Sequence, residues 1–254
     1  MAAHDTGPDE APEQTFIEHL TELRNRLLRA VAAILLVFLA LIPFANDLYA
    51  WLAQPLLNRL PEGSHLVAIE VAGPFLAPLK LAFFTAVMVT MPFSLYQAWA
   101  FVAPALYRHE KQLALPLLVS STVLFYLGCA FAYFLVMPVV FGFLASITPE
   151  GVAMMTDIGR YLDFVVMLFF AFGLCFEVPV ATVITVATGW LEVDALRRAR
   201  PYVIVGAFVI GAIFTPPDVL SQVMLAVPMC LLYEVGIVAS RALQKRRRAQ
   251  DAAH

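Results

Sequence analysis

Two kinds of acidic residue stand out in this chain. Glu177 lies deep in an apolar stretch, with 13 uncharged residues before it (164–176) and 14 after it (178–191). A carboxyl group at that depth of a membrane-length segment is expected to face a protein interior or a wet cavity. Pro179, two residues on, frees a backbone carbonyl nearby, so a structural hydrogen bond is the competing use. Glu22 and Glu110 instead stand among cations: Glu22 beside Arg24 and Arg26, Glu110 in Tyr107-Arg108-His109-Glu110-Lys111. A carboxylate at a membrane surface suits a ligand carrying guanidinium groups, because the planar fork of arginine matches two carboxylate oxygens. The plainer uses are an i,i+4 pair of Glu22 with Arg26, stabilising by about 0.2–0.5 kcal/mol, and a solvated turn pairing Glu110 with Lys111. Lys80 and Asp163 fall near the ends of apolar stretches, where their side chains can reach lipid headgroups.

Other chemistry is not signalled. The chain has no G-x-x-x-x-G-K-[ST] loop for nucleotide phosphates, no H-E-x-x-H and no G-x-S-x-G. The five histidines (His4, His19, His65, His109, His254) fall outside the apolar stretches, and Ser120 and Ser121 have no histidine nearby in sequence. Cys129, Cys175 and Cys230 show no C-x-x-C spacing. No catalytic residue, metal site or cofactor is therefore expected, and the reading is a protein that is not an enzyme.

The elements that hold these acids must be membrane helices. Of 254 residues, 61% are hydrophobic and only 14% charged, with a mean hydropathy of +0.82. A water-facing domain carries roughly 25% charged residues, so this composition cannot cover one. Six stretches come near the ~20 apolar residues that span ~30 Å of hydrocarbon: 27–44, 79–104, 113–135, 161–188, 202–214 and 219–240. Thirteen of the 16 Lys and Arg residues then fall on one side. The positive-inside rule makes that side cytoplasmic and places both termini there. The expected fold is all-α, with six transmembrane helices.

Two spans look thin. The 13 residues at 202–214 reach only ~20 Å, and the 15 uncharged residues before Glu234 about 22 Å. Short fifth and sixth spans imply local bilayer thinning, unless residues 190–201 supply extra helical turns. Residues 1–14 read as a disordered tail, 15–241 as the membrane domain and 242–254 as a basic tail. Thr15-Phe16-Ile17-Glu18 matches a capping box, and Phe16, Leu20, Leu23 and Leu27 give the helix it opens an apolar stripe. In the outer loop after the first span, Tyr49, Trp51 and Leu52 suit the membrane interface. No internal repeat is visible, which weighs against a small-solute transporter built on inverted repeats with Glu177 as its proton site.

Several strings on this frame are similar to those of one family, TatC, the multi-spanning subunit of the twin-arginine protein translocase. They are His19-Leu20-Thr21-Glu22-Leu23-Arg24-Asn25-Arg26, Phe101-Val102-Ala103-Pro104-Ala105-Leu106-Tyr107 and Ala130-Phe131-Ala132-Tyr133-Phe134, followed by Phe176-Glu177-Val178-Pro179, Arg200-Pro201-Tyr202 and Thr215-Pro216-Pro217-Asp218. The resemblance implies a receptor for twin-arginine signal peptides of folded cargo, working on the proton-motive force in the bacterial inner membrane. It implies that Glu22 and Glu110 meet the two signal arginines, with Arg24 and Phe101 in the same surface. It matches Pro55 to a position in the first outer loop and places Glu177 in a concave intramembrane pocket. Single-span TatA and TatB partners are implied against spans five and six, around Thr215, Asp218 and Gln222, within a homo-oligomeric receptor complex.

Overall fold

The computed structural model describes residues 10–57, 66–102, 114–147, 156–214 and 219–251. Helix α1 (Glu10–Leu41) ends where Pro43 cannot continue its hydrogen bonding. A 3-10 turn (Ile42–Phe44) leads into α2 (Ala45–Leu57). The chain returns through a two-residue strand β1 (Leu66–Val67) and α3 (Gly73–Val102). Helix α4 (Ala114–Phe131) passes through a π-helical turn (Ala132–Val136) into α5 (Met137–Ile147). Pro138 has no N–H for the Phe134 carbonyl, and the wide turn lies at that gap. After strand β2 (Thr156–Asp157) come α6 (Ile158–Phe176), α7 (Val178–Ala187), α8 (Val193–Phe214) and α9 (Val219–Asp251). Gly189, at φ 75°, takes the left-handed conformation that closes α7.

Among the described residues, five helical stretches are long and apolar enough to cross a membrane: Leu20–Gln54, Gly73–Phe101, Leu115–Leu144, Ile158–Ala187 and Gln222–Lys245. The remaining candidate, α8, is 22 residues long, but Arg197, Arg198 and Arg200 occupy its first half. The expectation of a short fifth helix is therefore corrected. Residues 193–201 do supply extra turns, and only the apolar part of α8 is short. The sixth is not short either, since α9 holds a 24-residue membrane-length stretch. At its start, α1 begins at Glu10, so the Thr15–Glu18 box lies inside the helix rather than at its cap.

Packing falls into two clusters. The larger centres on α6, which lies against α3 and α4, with Leu162, Val165, Leu168 and Phe172 fully buried. The smaller joins the end of α7 to α8 and α9 through Val186, Val193, Leu196, Tyr233 and Ile237. Among the described residues, helix α1 packs chiefly on α3 and leaves Leu27, Leu36 and Leu39 exposed, as a lipid-facing helix does. At the opposite end from the arginines, β1 and β2 pair in parallel, Leu66 with Thr156 and Val67 with Asp157. Tyr49 donates its hydroxyl to Ile158 O (3.1 Å), and Tyr161 donates to Leu52 O (3.0 Å), fixing α2 to the start of α6. Leu52 is thus a core residue, not an interfacial one. Trp51 remains exposed and stacks on Tyr133, with ring centroids 5.7 Å apart.

Candidate functional site

Helices α1 and α3 run in opposite directions, since Phe38 late in α1 meets Phe83 early in α3 at a centroid distance of 5.6 Å. Glu22 near the start of α1 and Phe101 at the end of α3 therefore share one end of the pair. Arg26 engages Glu22 through two contacts, Nε at 3.0 Å and Nη2 at 2.5 Å, both on Oε1. The competing i,i+4 use of Glu22 is real, although its side chain stays 39% exposed. Arg24 is exposed and donates from Nη2 to Asn25 Oδ1 at 3.4 Å. Phe101 is half-buried. Glu110 lies outside the described residues.

Glu177 occupies a break in the fourth span. It closes α6 and opens α7, with its own N–H drawn to Leu174 O at 3.1 Å. The cause is local: Pro179, at the second position of α7, has no N–H for the Cys175 carbonyl. The side chain turns toward α4, where Ser121 Oγ donates to Oε2 at 2.5 Å. Its other oxygen, Oε1, is buried with no partner among the described residues. Nothing in the residues around Glu177 points to Ser121, 56 positions away, as its partner.

Four more charges in or beside the apolar stretches form two pairs. Lys80 Nζ lies 3.3 Å from Asp163 Oδ1, both side chains 58% exposed, so the pair stabilises little. Arg200 on α8 meets Glu234 on α9. Gln222, expected at a partner surface, donates from Nε2 to Phe208 O at 2.9 Å and so ties α9 to α8. The two helices come close there, because a methyl group on Gly211 would sit 3.1 Å from Gln222 Cγ. Pro55 lies in the last turn of α2. Thr215 and Asp218 fall outside the described residues.

Residues 18–228 match the family model described as Sec-independent protein translocase protein (TatC). The chain belongs to the TatC family. It is 57% identical over 239 residues to the TatC of Azotobacter chroococcum mcd 1, covering 94% of each chain. To the TatC of Escherichia coli (strain K12) it is 52% identical over 241 residues, covering 95% of this chain and 91% of that one. Two crystal structures of a TatC twin-arginine translocase receptor share the fold. One aligns with a TM-score of 0.78 at 38% identity, covering 88% of this chain and 98% of the other. The second, in DDM, gives 0.79 at 37% identity, with 87% and 99% covered. As a member of TatC, the chain is a multi-span protein-transport subunit of the Tat translocase. These relatives give no support to the small-solute transporter reading.

Proposed function

We propose that this subunit is the receptor for twin-arginine signal peptides, docking them at the end of α1 and α3 that carries Glu22 and Phe101. The observation that carries the reading is the Glu22 carboxylate, accessible among cations and, among the described residues, bound by a neighbour on its own helix. A partly exposed i,i+4 pair such as this one stabilises by about 0.2–0.5 kcal/mol, so an incoming guanidinium can replace Arg26 at small cost. Glu110 is the second acid of the site, with Arg24 and Phe101 at its border. The solved relatives, described as twin-arginine translocase receptors, support the same assignment.

In this reading α8 is a crossing too, the fifth of six along the chain. Its apolar residues 202–214 enter the bilayer while Arg197, Arg198 and Arg200 remain in the headgroup layer, their stems reaching inward. Six crossings put both termini in the cytoplasm of a bacterial inner-membrane protein. TatA and TatB single-span subunits pack against α8 and α9, around Thr215, Asp218 and Gln222, in a complex with several copies of this chain. Pro55 shapes the first outer loop, and Glu177 lines a concave intramembrane face. The subunit does no covalent chemistry, and the proton-motive force drives export.

Photo-crosslinking of a twin-arginine signal peptide to membranes holding each variant tests the site. Glu22→Ala and Glu110→Ala each lower the crosslinked yield while the protein still inserts. Glu22→Lys lowers it further, because it adds repulsion to the loss of a partner. Unchanged yield in all three variants would remove the assignment.

A further inference from the structure

Helices α4 and α6 meet along a seam whose contacts run in opposite directions down the two chains. A methyl group on Gly128 would come within 2.5 Å of Phe172 O, and one on Gly173 within 2.6 Å of the Phe125 ring. Phe125 is fully buried. Small residues allow such close approach, and the approach leaves no freedom to slide. Stepping along α4 from Gly128 to Phe125 to Ser121 corresponds to stepping along α6 from Phe172 to Gly173 to Glu177. The glycine contacts thus set the register that brings Ser121 opposite the helix break.

The hydroxyl of Ser121 behaves differently from those beside it. Ser120 Oγ donates to Leu117 O at 2.9 Å and Thr122 Oγ1 to Leu118 O at 3.0 Å, the self-satisfying bonds usual for hydroxyls in apolar helices. Thr182, Thr185 and Thr188 on and after α7 do the same. Ser121, only 1% exposed, reaches across to Glu177 instead. A hydroxyl that gives up a bond on its own helix for a carboxyl on another fixes that carboxyl's direction.

We infer that Ser121 is a positioning residue for Glu177: held in register by Gly128 and Gly173, it turns the carboxyl of the helix break toward α4 and away from lipid. The functional part of this inference rests on the reading of Glu177 as a working residue of the translocase. The geometric part does not.

The test uses the full chain in detergent and a hydrophobic carbodiimide, which adds to carboxyl groups in apolar surroundings, with the adduct at Glu177 read by peptide mass. Ser121→Ala raises the labelling rate by roughly fivefold, the scale of one lost hydrogen bond. Gly128→Ala raises it as well, with Ser121 still present, because the seam is forced apart. Labelling at the wild-type rate in both variants overturns the inference. Export is the second readout. Ser121→Ala lowers export in the wild-type chain and changes nothing further in a Glu177→Ala background. An equal loss in both backgrounds would make Ser121 a packing residue and overturn its action through Glu177. If Glu177→Ala exports normally, the functional reading fails, while the labelling result still decides the positioning.

Discussion

Arg200 on α8 pairs with Glu234 on α9: Nη2 donates to Oε2 at 2.7 Å, while Nε lies 2.6 Å from Oε1 but is not aligned to donate to it. The neighbouring Tyr233 donates its hydroxyl to Leu196 O at 2.8 Å, so two polar contacts join the same turns of the two helices. They border a cavity of about 230 Å³ lined mostly by apolar side chains, including Phe208, Val227 and Leu231. The pair explains how Glu234 is tolerated within a membrane-length stretch.

Arg200→Lys keeps the charge but loses the fork. It is expected to lower the thermal stability of the detergent-purified chain, though less than Glu234→Ala does. Both side chains are about half exposed, so the coupling in a double-mutant cycle should be about 1 kcal/mol. A coupling near zero would show that the two groups do not support each other.

Helices α7 and α9 touch at Gly236, where a methyl group would collide with Thr182 Oγ1 and sit 3.0 Å from Pro179 Cα. Gly236→Ala therefore pushes α9 away from the helix that follows Glu177. The expected cost is about 1–3 kcal/mol, as for other overpacked contacts. Adding Thr182→Ala returns part of it. Melting of the single and double variants in detergent checks both signs.

Asp157 caps α6 by accepting from Gly159 N and Arg160 N on Oδ1, and holds Ile69 N on Oδ2, each at 3.0 Å. These backbone donors, Ile69 first, hold its carboxyl below the ordinary value of 3.8. The folded value is thus the lower one. Its contribution to stability is complete above the unfolded value and fades as the pH falls through the folded one. Asp157→Asn should melt lower than wild type at neutral pH, and the gap should narrow progressively as the pH is taken below 3.8. Melting curves across that range provide the measurement.

The apolar part of α8 reaches only ~20 Å, which thins the bilayer locally if α8 crosses it. Inserting one apolar turn after Tyr202 removes the mismatch. Export of a twin-arginine reporter should fall while the protein level holds. Wild-type export from the lengthened chain would show that the thin helix has no role in transport.

Much of this protein was legible from its residues alone. Composition dictates a membrane protein, because too few charges remain to face water. Counting uncharged residues on either side of Glu177 locates it deep in a span, and Pro179 marks a freed backbone carbonyl beside it. The i,i+4 spacing of Glu22 and Arg26 gives their pair directly, since a helix brings such positions together whatever surrounds it.

What only the tertiary structure decided is which distant groups meet. Ser121 and Glu177 are 56 residues apart, Lys80 and Asp163 83, Arg200 and Glu234 34. Each pairing depends on the rotation and register of two helices, and those follow from close contacts such as Gly128 on Phe172 and Gly236 on Thr182. Hydropathy is blind to such contacts, because it averages over all faces of a helix. The same averaging hid the first turns of α8, where arginines lower the apolar signal without stopping the helix, and it could not show that packing against α6 buries Leu52 in the core.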